Sequence, residues 1–164
     1  MKEEINPEQL KEAMRAWITG VVIVTGCHDG YIHGMTANSF NSIALSPPTI
    51  LVALRQHTRT QHLVQHGGIF GVSILSTEQV DLAKRFAGQI DTEISRFKGV
   101  ETFNMITGAP MIKDGIAFLD CKVVQSFDVG KTTVFVGEVL AAQNNRDGQA
   151  PLLYFNRQWR KLAK

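Results

Sequence analysis

A chain of 164 residues has the size of one ordinary domain, a length that buries roughly 70% of its unfolded surface, so 1–164 is read as a single unit. Its 44% hydrophobic and 20% charged residues and formal net charge of +2 exclude a disordered chain and leave no nucleic-acid footprint, the basic residues being scattered apart from Arg157, Arg160, Lys161 and Lys164. No apolar run approaches the roughly eighteen residues of a membrane span, Met1-Lys2-Glu3-Glu4 is too acidic for a secretory signal, and Cys27 and Cys121 stand outside any CxxC spacing; free thiols in the cytoplasm are expected.

In chain order, Asn6-Pro7-Glu8-Gln9 predicts a helix start, with Asn6 as N-cap, Pro7 in the first position and Gln9 closing a capping box. Leu10, Ala13, Met14 and Trp17 then form an apolar stripe. After Gly20 the run Val21-Val22-Ile23-Val24-Thr25 predicts a strand, and Asp29-Gly30 a hairpin turn. A strand from about Met35 to Leu45 follows, stopped by Pro47-Pro48, and Thr49 to Leu54 makes the next. Thr58 to His66 predicts a short helix closed by Gly67-Gly68, and Phe70 to Leu75 a strand. Ser76-Thr77-Glu78-Gln79 is a second capping box, opening a helix with Val80, Leu82, Ala83, Phe86 and Ala87 on its apolar face and Gly88 at its end. Gln89 to Lys113 shows no period and is expected to be a long irregular excursion of functional kind. Strands over about Ile116 to Phe127 and Thr132 to Ala141, joined around Gly130, and a short one over Leu152 to Phe155 complete the chain. Six or more strands with few short helices imply a mainly β fold, a closed or nearly closed barrel.

Between Gly34 and Pro48, "GMTANSFNSIALSPP" threads polar residues among apolar ones. Strand alternation would set Thr36, Asn38, Phe40 and Ser42 on one face and Ala37, Ser39, Asn41 and Ile43 on the other. Neither face is purely apolar, so a solvated edge strand and a ligand platform both remain open. Thr58-Arg59-Thr60 then follows an apolar strand at a predicted helix start, where hydroxyls, a guanidinium and free helix N–H groups make an anion site suited to phosphate. A plain N-cap with a surface arginine explains the same residues.

The stretches "HGMTANSFNSIALSPPTILVAL" (33–54), "LAKRFAG" (82–88), "LDCKVV" (119–124), "TVFVGEV" (133–139) and "PLLYF" (151–155) resemble the flavin reductase-like, FMN-binding split-barrel family, which includes the small NAD(P)H:flavin reductase components of two-component monooxygenases. The resemblance implies a Greek-key split β-barrel, working as a homodimer with FMN or FAD at the subunit interface. Carried over by position, Thr36, Ala37, Asn38, Ser39 and Phe40 would line the isoalloxazine, with Ser42 and Ile43 nearby. Thr58, Arg59 and Thr60 would meet the phosphate end, and Arg85, Phe86, Ala87 and Gly88 would close over the ring. A flat apolar tricycle with a polar rim needs small side chains beneath it and hydrogen-bonding groups at its edge, which this ribbon supplies. Many members carry Gly-Asp-His, tied to nicotinamide binding, where this chain has Gly130-Lys131-Thr132. Lys131 and Thr132, with Asn156, Arg157 and Trp159, are the nicotinamide-side candidates.

The implied activity is hydride transfer from NADH or NADPH to flavin by aligned cofactors, with no obligatory side-chain acid or base, and reduced flavin passing to a monooxygenase or another acceptor. A flavin-bound electron carrier of the flavoredoxin-like kind and a binder of some other planar ligand are the alternatives. Neither nucleic acid nor membrane is an expected partner. His62 and His66 are spaced i, i+4 on a helix, but no third ligand accompanies them, and no metal is expected. His57 can border the phosphate, and His33 is expected to be structural. Phe70, Phe118, Phe127 and Phe135 are assigned to the barrel core.

Overall fold

The computed structural model describes residues 5–90, 95–145 and 149–163; Met1–Glu4 and the Lys164 end of the basic cluster lie outside the described residues. The first helix, α1, spans Pro7–Met14, and the expected capping box closes it: the Asn6 side chain accepts from Glu8 N, and Gln9 Oε1 accepts from Asn6 N at 2.9 Å. Its apolar stripe is left uncovered by the described residues. No residue of α1 is buried, and Leu10, Met14 and Trp17 stay exposed.

Strands β1 (Thr19–Gly20), β2 (Val22–His28), β3 (Tyr31–Ala37), β4 (Phe40–Leu45) and β5 (Pro48–Arg55) precede helix α2 (Arg59–Gly67) and strand β6 (Ile69–Ile74). A 3-10 turn over Thr77–Gln79 leads into α3 (Val80–Phe86). The excursion that follows holds a small hairpin, β7 (Thr102–Asn104) with β8 (Pro110–Ile112). Long strands β9 (Ala117–Val129) and β10 (Thr132–Asn144) come next, then β11 (Leu153–Phe155) and β12 (Gln158–Arg160).

Seven strands form one antiparallel sheet in the order β3-β2-β6-β9-β10-β5-β4, and β1-β11-β12 form a second. The two edges of the large sheet, β3 and β4, are successive in the chain and joined only by Asn38 and Ser39, yet share no ladder. The sheet therefore turns back toward its own beginning without closing, which is the split barrel the sequence implied. One core, with Val22, Val24, Val52, Leu54, Phe70 and Phe135, fills the inside of this curve. A second, with Ile23, Leu75, Phe86 and Leu152, lies under α3.

Two expectations need correction. The ribbon from Met35 to Leu45 is not one strand: it breaks at Asn38-Ser39, where Ala53 N donates to Ser39 O at 3.0 Å and draws the chain across to β5. Phe127 is not a core residue; it is 46% exposed, because it lies on the distal half of β9, beyond the reach of the pairing with β6 that ends at Lys122. Phe70, Phe118 and Phe135 are buried.

Helix α2 is laid on the start of the sheet by close approach. A Cβ at Gly67 would stand 2.2 Å from Cys27 O of β2, so only glycine lets the helix end here, and Gly68 at φ 67 caps it. This fixes the opposite end, the start of α2, beside β3.

Candidate functional site

Edge strand β3 brings Thr36 and Ala37 to the crossing point, and their side chains diverge. Thr36 Oγ1 donates to Ala83 O at 2.7 Å, fastening the strand to α3. The Ala37 methyl group belongs to the core, so Ala37 offers a ligand backbone alone. Ser39 Oγ donates to Ala53 O at 2.6 Å, and Phe40 is half-buried against the first core. Among the described residues, Asn38 and Ser42 keep exposed polar side chains with no hydrogen-bond partner, and Ile43 is the extra residue of a bulge, 50% exposed. What the strand crossing presents is thus main chain, two small polar groups and an apolar side chain.

The start of α2 stands beside β3. Thr58 is the N-cap, its hydroxyl accepting from Gln61 N at 3.3 Å and donating to Arg55 O at 2.9 Å. Arg59 is exposed, whereas Thr60 is fully buried with its Oγ1 2.8 Å from His33 Nδ1 of β3. Thr60 itself is thus enclosed in the contact between α2 and β3, at the helix turn whose first amides have no intrahelical acceptor. Burial, and then the charges of Arg96 and Arg59, push the His33 imidazole down to about 4, so it is neutral at physiological pH.

Arg96 is the residue that sequence reasoning missed. It sits in the aperiodic excursion, where the signal was no more than a basic residue before Phe97. Its Nη1 donates to Gly34 O at 3.1 Å and to Phe86 O at 2.9 Å, bridging β3 and the end of α3. Burial, with the neighbouring Arg59 charge adding to it, holds the Arg96 guanidinium below its ordinary value. Gly88, at φ 71, makes room: a Cβ there would lie 3.1 Å from Arg96 Nη2.

Arg85, expected over the ring, is turned to other work, donating from Nη2 to Ser95 O at 3.1 Å and to Lys98 O at 2.7 Å. Phe86 is buried and meets Phe97 edge-on at 5.1 Å, while Ala87 and Gly88 are exposed. These contacts fold the excursion back on α3, with residues 91–94 outside the described part.

The β9-β10 turn, Gly130-Lys131, lies next to the start of α2, because Thr132 pairs with Arg55 and Gln56 N donates to Lys131 O at 3.0 Å. Thr133 Oγ1 donates to Asp128 at 2.6 Å and accepts from Gln61 Nε2 at 3.3 Å. Hydrogen bonds from Thr133 and Gln56 hold the Asp128 carboxyl below the usual carboxylate range. Lys131 is exposed at the tip and Thr132 half-buried.

Asn156 and Arg157, at φ 46 and 60, form the β11-β12 turn. Trp159 packs on Tyr154 at 5.1 Å and lines a groove of about 320 Å³ with Thr77, Val80, Leu152, Arg160 and Lys161. Tyr154 and Trp159 pack against the core under α3, and among the described residues no hydrogen bond or ring contact ties Asn156, Arg157 or Trp159 to β3 or α2.

His62 and His66 stack at 4.1 Å with His66 Nδ1 bonded to His62 O, and among the described residues no group of three or more His, Cys, Asp or Glu is placed to hold a metal ion. Burial, then Asp120, raises the Cys27 thiol and pushes the buried Cys121 thiol up to about 12, so neither is tuned toward the thiolate. No described helix is long and apolar enough to cross a membrane.

The arrangement joins the exposed break between β3 and β4 to a cationic helix start, and Asn38, Ser42, the Ala37 main chain, Arg59 and the first amides of α2 are the groups that could hold a planar ligand with an anionic tail.

Residues 14–163 match the description "Flavin reductase like domain". An NADH-dependent flavin reductase from a Rhodococcus species is 33% identical over 162 residues, covering 97% of this chain and 88% of that protein. The reductase subunit HsaB of a flavin-dependent monooxygenase from Rhodococcus jostii is 28% identical over 96% of this chain and 78% of its own. Among solved structures, an NADH:FAD oxidoreductase of Streptomyces globisporus in complex with NAD and FAD fragments superimposes with a TM-score of 0.87 at 30% identity, covering 98% of this chain and 97% of that one.

Proposed function

The chain belongs to the flavin reductase-like domain family, and from that premise we propose that it is an NAD(P)H-dependent flavin reductase whose flavin rests on the β3-β4 crossing with its phosphate at the start of α2. The observation that carries this reading is the joining of two features on one strand: β3 ends in the open crossing, and its His33 holds Thr60 of the α2 first turn at 2.8 Å. The main chain at Ala37 and Ser39 and the side chains of Asn38 and Ser42 address the rim of the ring. Thr58, Arg59 and the amides of the first turn address the phosphate. When bound, the flavin supplies N5 as acceptor for hydride from nicotinamide C4, with FMN or FAD and NADH or NADPH as the pair.

The residues of this chain orient and shield; none has to move a proton for the transfer to occur. Lys131, exposed on a hairpin braced to α2 through Thr133 and Gln61, is set to attract the pyrophosphate of the nicotinamide donor in place of the family's Gly-Asp-His. Asn156, Arg157 and Trp159 make no hydrogen bond to β3 or α2 among the described residues, and serve the nicotinamide side from a second subunit or serve packing alone.

The working unit is a homodimer. Leu10 and Met14 of α1, Trp17 just after it, Ile43 and Leu45 of β4, and Val124, Phe127 and Val129 of β9 are all at least 40% exposed, apolar faces that a second copy would cover. A second copy over the open crossing would roof the flavin. Reduced flavin passes to an oxygenase component, and the protein works in the cytoplasm.

The test is steady-state oxidation of NADH and NADPH with FMN and FAD in excess, together with the visible spectrum of the purified protein. Turnover with at least one pair is expected. Tightly held flavin with no turnover by any of the four pairs would make it an electron carrier.

A further inference from the structure

We propose that Arg96, together with Arg59, forms a two-guanidinium clamp on the flavin phosphate, so that this site selects phosphorylated flavins over riboflavin. The inference rests on the flavin reading above and assigns to that site a residue from the excursion after α3.

Arginine carries five N–H donors in a rigid fork. Arg96 spends its Nη1 hydrogens on Gly34 O and Phe86 O, at 3.1 and 2.9 Å. Its Nη2 and Nε hydrogens have no acceptor among the described residues, and neither atom is among the buried orphans, so both remain open to a ligand. The two carbonyl bonds hold the fork in one orientation beside Gly34. Ordering it on an anion therefore costs little additional side-chain entropy.

Arg96 is bonded to Gly34, whose neighbour His33 holds Thr60 beside Arg59, so the two arginines share one stretch of β3; the Arg59 charge acts on both Arg96 and His33, and Arg59 has no carboxylate partner among the described residues. Two guanidiniums in one neighbourhood without a carboxylate partner repel, and a dianion between them would convert that repulsion into two favourable interactions. A neutral isoalloxazine cannot do this; a phosphate monoester or a pyrophosphate can. His33 completes the logic by staying uncharged: it holds Thr60 in place without adding a third cation. The hydrogen-bond partners of Arg96 among the described residues are the main-chain carbonyls of Gly34 and Phe86, and neither brings a carboxylate to it.

Riboflavin and FMN differ only by the phosphate, so their dissociation constants separate recognition of the tail from recognition of the ring. Flavin fluorescence quenching is measured with the full chain and with Arg96→Met, Arg96→Lys and Arg59→Met. Wild type is expected to bind FMN more tightly than riboflavin. Each substitution is expected to weaken FMN by about tenfold or more, the loss of a charge-assisted contact, while riboflavin shifts by no more than about twofold. Because Arg96 also bridges two carbonyls, Arg96→Lys, which keeps a charged donor for them but not the fork, stands in if the Met variant does not fold.

Unchanged FMN affinity in the Arg96 variants overturns the proposal. So does a parallel loss of both flavins, which would mean that Arg96 only braces β3 against α3, and so does a wild type that binds the two alike. A wild type that binds neither flavin strikes at the flavin reading itself, a separate outcome.

Discussion

Asp120 offers the sharpest test of how the excursion is anchored. Its carboxylate is fully buried on β9 and accepts from Ile106 N at 2.6 Å, from Thr107 N at 2.7 Å and from the Thr107 hydroxyl. Hydrogen bonds to a charged acceptor contribute roughly 1.5–3 kcal/mol each in net terms, and losing the acceptor strands the amides that faced it. Part of that loss is recovered where water reaches the loop. Asp120→Ala is therefore expected to cost about 3–5 kcal/mol, a large share of the roughly 5–15 kcal/mol by which domains are stable. Asp120→Asn keeps the shape and one carbonyl oxygen for the two amides, and its new amide can donate to the Thr107 oxygen. It trades charged bonds for neutral ones, at about 1–2 kcal/mol. Urea unfolding followed by circular dichroism gives both numbers, and limited proteolysis between Met105 and Ala109 reports the local release. An alanine variant within about 1 kcal/mol of wild type, or an asparagine variant as damaged as the alanine one, would refute this account.

Gly137→Ala places a Cβ 2.5 Å from Phe70 Cζ and 3.1 Å from Cys121 Cβ, and since Phe70 is fully buried the variant should lose about 2–3 kcal/mol; an unchanged melting temperature contradicts the packing. His33 titrates at about 4 when folded and near 6.5 when unfolded, so the unfolded chain binds more protons between these values and stability falls as pH drops from about 6.5 to about 4. With partial solvent screening the share is about 1–2 kcal/mol, and His33→Gln should show a correspondingly shallower acid limb in urea titrations. If the apolar faces meet a second copy, Trp17→Glu or Phe127→Glu should halve the sedimenting mass, a reading that fails should wild type itself run as a monomer. Cys121, with its thiol pushed up to about 12, should react with a disulfide reagent at neutral pH only after denaturant is added; rapid labelling of two thiols in the native protein would contradict its burial.

Local chemistry made much of this protein legible. The β-branched run at Val21 to Thr25, the Asn6 and Thr58 caps, the Asp29-Gly30 turn and the Gly67-Gly68 stop each depend on neighbours within a few residues, so the chain itself dictates them. Face assignment along the ribbon was another matter. Alternation holds only while a strand is continuous: it sets Thr36 toward α3 and Ala37 into the core, but it does not carry past Asn38-Ser39, where the bonds to Ala53, fourteen residues onward from Ser39, break the ribbon. Phe127 is likewise as apolar as Phe135, yet one is exposed and the other buried because β6 is too short to cover all of β9. Arg96 had no period or motif to announce it. Its place beside Arg59 arises because Arg85, Phe86 and Phe97 fold the excursion back onto α3, and contacts of that reach exist only once the sheet has formed.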